Sequence, residues 1–296
     1  MKKFFSLACA IALWASSTQL YAQTPDELEV LKHFVDSVHQ SLKWETGTVN
    51  LSGDMATVQV PQGMRYLNGE QSKMVLTELW GNPPSVETLG MLFPENSGPL
   101  DAAAWAFNIS FDALGYVSDD DAGEINYDDL LKQMKEEAQA ANTEREKGGF
   151  QTIEIVGWAA APYYDKSKNT LHWAKEIKFG DGANGNTLNY DVRILGRKGV
   201  LSLNAIGEMG QLDLIKGAIP SISSNVAFTE GNRYADFDSK VDDVAAWTLG
   251  GLVAGKVLAK AGFFAIILKF IKPIIIGAVA LFAALKRFIF KEKEQE

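Results

Sequence analysis

The chain has 296 residues, 47% of them hydrophobic, which is enough apolar material for a sizeable core. Its charge is uneven: residues 23–243 carry 18 Lys and Arg against 34 Asp and Glu, a net of −16, whereas residues 244–296 carry 8 against 3, a net of +5. An acidic domain repels nucleic acid, and a single cysteine, Cys9, excludes intramolecular disulfides and multi-thiolate metal sites.

In chain order, Met1-Lys-Lys-Phe-Phe, the apolar run Ser6 to Trp14, and Leu20-Tyr-Ala22 have the three regions of a secretory signal peptide, residues 1–22. Its removal takes Cys9 away. The apolar run before Cys9 is short and lacks the upstream leucine of a lipidation site, so cleavage after Ala22 is the expectation. Residues 23–243 then form an exported acidic domain. Thr24, Pro25 and Glu27 make a helix start, and Leu28, Leu31, Val35, Val38 and Leu42 continue at helical spacing. Gly47 to Leu51 and Met55 to Val60 flank Ser52-Gly-Asp54 as a hairpin. A second helix is expected from Asn68 to Gly81, and strands at Leu89 to Phe93 and at Ala103 to Phe111. The last of these puts Trp105, Phe107, Ile109 and Phe111 on one face.

Tyr127 to Glu146 is strongly helical and ends at Gly148-Gly149. Residues 150–206 then read as an antiparallel meander of four strands. Phe150 to Trp158 is rich in β-branched and aromatic residues. Leu171 to Phe179 alternates, with Leu171, Trp173, Ile177 and Phe179 on one face. Thr187 to Leu195 and Val200 to Ile206 follow, joined through Gly196-Arg-Lys-Gly199. Asp165 to Asn169 supplies the first hairpin loop. After the meander, Gln211 to Ile219 reads as a short helix, Ser221 to Asn225 as a loop, and Gly231-Asn232 as a turn.

Gly157-Trp158, Pro162-Tyr-Tyr-Asp165, Leu171-His-Trp-Ala174, Leu188-Asn-Tyr190, Arg193 to Gly199 and Gly231 to Phe237 together resemble an uncharacterised bacterial membrane-anchored family, domain of unknown function 2167. The resemblance covers most of the chain after the signal peptide. It implies a secreted domain with a C-terminal anchor, and it transfers no catalytic residue.

Several stretches could carry chemistry. Ser118 to Asp129 fits parts of a twelve-residue calcium loop, with Asp120, Asn126 and Asp129 as candidate ligands. Ser118 and Ala122 break the pattern, and aspartates before a helix also cap it, which is the favoured reading. The aromatic residues Trp158, Tyr163, Tyr164 and Trp173 cluster at the first meander hairpin, either lining a ligand groove or packing against one another, the favoured of the two. His33, His39 and His172 have no zinc-site spacing, no Gly-x-Ser-x-Gly elbow occurs, and Gly180-Asp-Gly182 joins strands instead of opening a helix. No cofactor is expected.

From residue 244 the composition changes. Residues 244–261 read as a juxtamembrane glycine-rich helix in which Gly251, Gly255 and Ala259 let helices approach closely, in self-association or in internal packing. Residues 262–290 read as one transmembrane anchor that includes Lys269 and Lys272, which snorkel or meet a protein partner, and residues 291–296 as a cytoplasmic tail. A helical hairpin is the alternative.

The expectation is therefore an α+β fold, an antiparallel sheet flanked by helices with a C-terminal transmembrane helix. The protein would sit in the bacterial cytoplasmic membrane with its main domain periplasmic, binding no nucleic acid. Its role would be a non-catalytic interaction with an envelope protein or with itself through the anchor. The alternatives are a ligand-binding sensor using the aromatic hairpin, or an enzyme with a dispersed site such as Asp165, Tyr190 and Arg193.

Overall fold

A computed structural model describes residues 25–255 apart from Ser52, Ala102 and Asn184. The signal peptide, the Thr24 cap, Ala259, the span at 262–290 with Lys269 and Lys272, and the tail lie outside the described residues. The chain divides at Lys43 into two units. In the first, helix α1 (Pro25–Ser41) carries the expected apolar spacing, with Val30 and Leu31 exposed.

The second unit opens with the expected hairpin, β1 (Thr48–Leu51) and β2 (Ala56–Gln59). There follow β3 (Met64–Asn68), helix α2 (Gly69–Met74), which widens into a π-helical turn at Val75–Leu79, β4 (Gly90–Pro94) and β5 (Ala106–Asp112). The long helix α3 (Tyr127–Lys147) leads into the meander: β6 (Ile153–Asp165), β7 (Thr170–Phe179), β8 (Thr187–Leu195) and β9 (Val200–Glu208). Helix α4 (Leu212–Ser224), strand β10 (Val226–Phe228) and the short helix α5 (Leu249–Ala254) complete it. Two antiparallel sheets result, one of seven strands in the order β3-β4-β5-β9-β8-β7-β6 and one of three in the order β1-β2-β10.

Alternation gives the large sheet two different faces. Phe107, Ile109, Leu203, Tyr190 and Val192 point to one face, which the small sheet covers with Ala56 and Val58 and α4 covers with Ile215, Ile219 and Ile222. On the opposite face, Leu171, Trp173, Leu195 and Val200 pack beneath Leu130 and Met134 of α3 and Leu249, Leu252 and Val253 of α5. Each fully buried side chain of this kind contributes about 1.5–3 kcal/mol relative to exposure.

The four-strand meander forms as expected, with Asn169 in the left-handed region (φ 52°) closing the first hairpin. Strand β6, however, runs on to Asp165, because three register shifts between Ile155 and Tyr163 break the simple alternation that would have revealed its length. Helix α4 also runs past Pro220 to Ser224, where a loop was expected. The buried series Ile215, Ile219 and Ile222 sustains it through the missing proline N–H, and the Ser223 hydroxyl donates to the Ile219 carbonyl at 2.8 Å.

The C-terminal helix differs most from expectation. It begins at Leu249, where the Thr248 hydroxyl caps the Gly251 N–H at 3.0 Å, and it ends at Gly255, whose φ of 72° takes a left-handed cap. A continuous helix over 244–261 is therefore corrected, and so is a domain boundary at Asp243, since Leu249, Leu252 and Val253 belong to the core. Gly251 is buried within the fold, and Gly255 terminates the helix. Among the described residues, no helix is long and apolar enough to cross a membrane.

Two measurements test this packing. Leu249→Ala is expected to lower the unfolding free energy by about 2–5 kcal/mol in urea denaturation. A chain ending at Asp243 should then lose the cooperative transition that one ending at Gly255 keeps.

His172 tests the opposite face. It stacks on Tyr163 at 4.7 Å, its Nε2 lies 2.9 Å from the Thr170 hydroxyl, and burial, partly offset by Asp165, lowers its pKa from 6.5 to about 4. The unfolded chain binds a proton in this window and the folded one does not. Stability is thus full above pH 6.5 and falls as pH drops toward 4, by about 2–3 kcal/mol. His172→Phe should remove that share of the acid limb, seen as a shrinking difference between wild type and variant from pH 7 to pH 4.

Candidate functional site

On the face that carries α3 and α5, the middle strands also carry polar side chains, several of them buried. The cross-strand register lines up Asn108 of β5 with Asn204 of β9, Asn204 with Asp191 of β8, and Asp191 with Trp173 of β7. In adjoining rows, Ser110 faces Ser202 and Ser202 faces Arg193, while Asn189 faces Lys175. Because alternate residues of a strand share a face, these side chains form one polar floor on the centre of the sheet.

Asp191 is the floor's deepest charge, only 3% exposed. Its Oδ1 accepts from the Asn204 carboxamide at 2.9 Å and lies 3.2 Å from an Arg193 Nη2, and its Oδ2 lies 3.6 Å from the Lys175 Nζ. Asn189 and Asn204 exchange two further hydrogen bonds, at 3.2 and 2.8 Å. At the edge of the floor, the Ser202 hydroxyl donates to Asp112 at 3.0 Å. Burying a carboxylate is costly unless it is paired, and two cations approaching its two oxygens provide that pairing. The Asp191 Oδ2 and the Asn108 Oδ1 are buried and accept no hydrogen bond among the described residues. Arg193 also sits 5.4 Å above the Trp173 ring, a cation–π distance that connects the floor to the aromatic core.

The residues singled out from sequence do not share one site. Trp158, Tyr164 and Trp173 pack into the core beneath α3 and α5, whereas Tyr163, next to Tyr164 on the strand, lies on the other face with His172. They line no common groove. Tyr164 and Tyr234 instead converge on Asp119, their hydroxyls donating to its two oxygens at 3.1 and 3.3 Å. Burial first, then for Tyr164 the Asp119 charge and for Tyr234 its hydrogen bond with Tyr116, raises both phenol pKa values, so both remain neutral donors. Tyr116 stacks on Tyr234 and on Phe237, at 4.6 and 3.8 Å.

The acidic loop is likewise spoken for. Ser118 donates to Asp120 at 2.5 Å, while Asn126 caps α3 by accepting from the Asp128 and Asp129 N–H groups and donates to the Asp129 carboxylate. Asp120, Asn126 and Asp129 therefore act in turn and cap geometry. Among the described residues, no group of three or more His, Cys, Asp or Glu side chains could hold a metal ion. Asp165, Tyr190 and Arg193 are not brought together either. Tyr190 lies in the core of one face and Arg193 on the other, and Asp165 ends β6 bound to Ser167. A shallow cleft of about 380 Å³ beside Trp44 is separate from the floor. There Arg65 stacks 3.6 Å from the Trp44 ring and donates to the Ser97 carbonyl.

A family model matches residues 43–283. The chain belongs to the family Protein of unknown function (DUF2167). The DUF2167 match starts one residue before the second unit, and it takes in the whole polar floor. No curated protein matches the sequence. Among solved structures, cyanobacterial PsbP (CyanoP) from Synechocystis is 11% identical, over 62% of this chain and 91% of that one, with a TM-score of 0.33. The Ran-binding protein Mog1p of Saccharomyces cerevisiae is 10% identical over 67% and 100%, with a TM-score of 0.29. The protein of unknown function PA94 from Pseudomonas aeruginosa is 16% identical over 44% and 76%, with a TM-score of 0.24. Scores this low assign no function to a DUF2167 chain.

The pairing at the floor sets a test. Asp191→Ala leaves Lys175 and Arg193 repelling each other over a buried gap and is expected to cost about 3–5 kcal/mol in urea denaturation. A double-mutant cycle with Lys175→Met should return a coupling of at least about 1 kcal/mol; additivity of the two changes would show that the pair is not linked.

Proposed function

We propose that this DUF2167 protein is a non-catalytic binding protein of the bacterial envelope. Its acidic domain stands on the periplasmic side of the cytoplasmic membrane, tethered by the span at 262–290, and the polar floor is its recognition surface. The observation that carries this reading is the Lys175–Asp191–Arg193 network on the central strands. A charged row in the middle of a sheet costs stability that an apolar face would not, and its groups are held by one another in fixed positions, an arrangement suited to matching a ligand's charge pattern.

The end of the fold supports the tether. The core runs to Val253, so residues 254–261 are all that separate it from the proposed span, and fully extended they would reach at most about 29 Å. The domain would work close to the bilayer. Lys269 and Lys272, within the span, are the proposed contacts for an envelope protein partner. The sensor alternative draws support from Arg193 over Trp173, which places a tryptophan beside the floor.

The test has two parts. On cell fractionation the full chain should sediment with membranes while a chain ending at Gly255 is released with the periplasm, and release of the full chain would overturn the tether. A thermal-shift panel of neutral, cationic and anionic small molecules should raise the melting temperature with at least one class, an effect lost in Asp191→Asn. A panel with no response from any class would overturn the binding reading.

A further inference from the structure

Resting on that reading, we propose that the floor binds a small oxyanion, a carboxylate or phosphate group, held between Lys175 and Arg193. The cations are the less buried part of the network and the carboxylate the most buried part. The Lys175 and Arg193 side chains are 18% and 21% exposed, against 4% for Asp191. An approaching ligand therefore meets Lys175 and Arg193 before Asp191, with the Asp112 carboxylate off to the edge of the floor at Ser202.

The donor inventory points the same way. Asp191 takes its hydrogen bond from Asn204, while Lys175 and Arg193 stand at ion-pair distances of 3.6 and 3.2 Å. An ammonium carries three N–H donors and a guanidinium five in a planar fork, so most of their donors remain for a ligand. Arg197 shows the contrast: its Nε donates to Asp242 at 2.7 Å and its Nη1 to the Gly231 carbonyl at 3.1 Å, which commits that guanidinium to holding the fold. Two cations on neighbouring strands repel unless an anion gathers them. Asp191 does so from beneath, as a positioning residue, and an oxyanion would do so from above.

Titration calorimetry on the detergent-solubilised full chain, in phosphate-free buffer of low ionic strength, tests this with inorganic phosphate, citrate and dihexanoylphosphatidylglycerol below its micelle concentration. At least one probe should bind saturably with one site per chain. Lys175→Met and Arg193→Gln should each weaken binding at least tenfold at unchanged cooperative unfolding, Lys175→Arg should restore it, and Lys178→Gln should leave it unchanged. Binding should also alter tryptophan fluorescence, and Trp173→Phe should abolish that change. Phosphate or citrate binding without the lipid identifies a free solute, and lipid binding alone identifies a headgroup. Binding that survives both cation variants overturns the site. No binding of any anion, with a neutral or cationic compound still shifting the melting temperature through Asp191, overturns the oxyanion while the binding reading stands. No response to any compound overturns both.

Discussion

Strand β9 is hydrogen-bonded along its length on both sides, to β5 and to β8, and the rest of the fold follows from that double pairing. A strand fixed from both edges makes the sheet continuous from β3 to β6, and a continuous sheet presents two faces that need cover. The small sheet and α4 close one face with aliphatic side chains. On the other, α3 and α5 pack over the apolar part, and the asparagines, serines and the charged network lie beside it, with Asn108, Asp191 and Ser202 themselves buried. The polar floor is thus a property of the layer arrangement as much as of any single residue.

Much of the architecture was legible because local signals and long-range packing agree. The Asp165 to Asn169 hairpin, the alternation of Trp105, Phe107 and Ile109, and the start of α3 at Tyr127 all follow from residue type and spacing. Where they disagree, packing wins. The three serines of Ser221 to Asn225 argued for a loop, and the isoleucines on the buried side of α4 kept the helix going past Pro220. Glycines at 251 and 255 argued for a helix that runs on, and the left-handed backbone at Gly255 stops it.

The site was not legible. Asp191 and Asn204 face each other across the 196–199 hairpin, but Asn108 lies far back in the chain and joins them only through the β5–β9 register, which no local pattern reveals. Each strand alternates apolar and polar, and the polar half is the expected solvent side of a half-buried sheet. The one available signal was Asp191 and Arg193, opposite charges two residues apart on one face in the middle of a strand. The aromatic hairpin misled for a related reason: Tyr163 and Tyr164 are adjacent in sequence, and adjacency in a strand puts two side chains on opposite faces. Their partners, His172 and Asp119, are on different sides of the sheet.

The seating of α5 has a mechanical consequence. Leu249, Leu252 and Val253 lie in the same apolar cluster as Trp173 and Val200, and the chain leaves that cluster within two residues of Val253. A pull applied at Gly255 would act only two residues from Val253. It would load the interior directly, drawing on the packing around Trp173, the ring over which Arg193 is stationed. Tension at the C-terminus and occupancy of the sheet's polar centre would therefore act on one set of side chains.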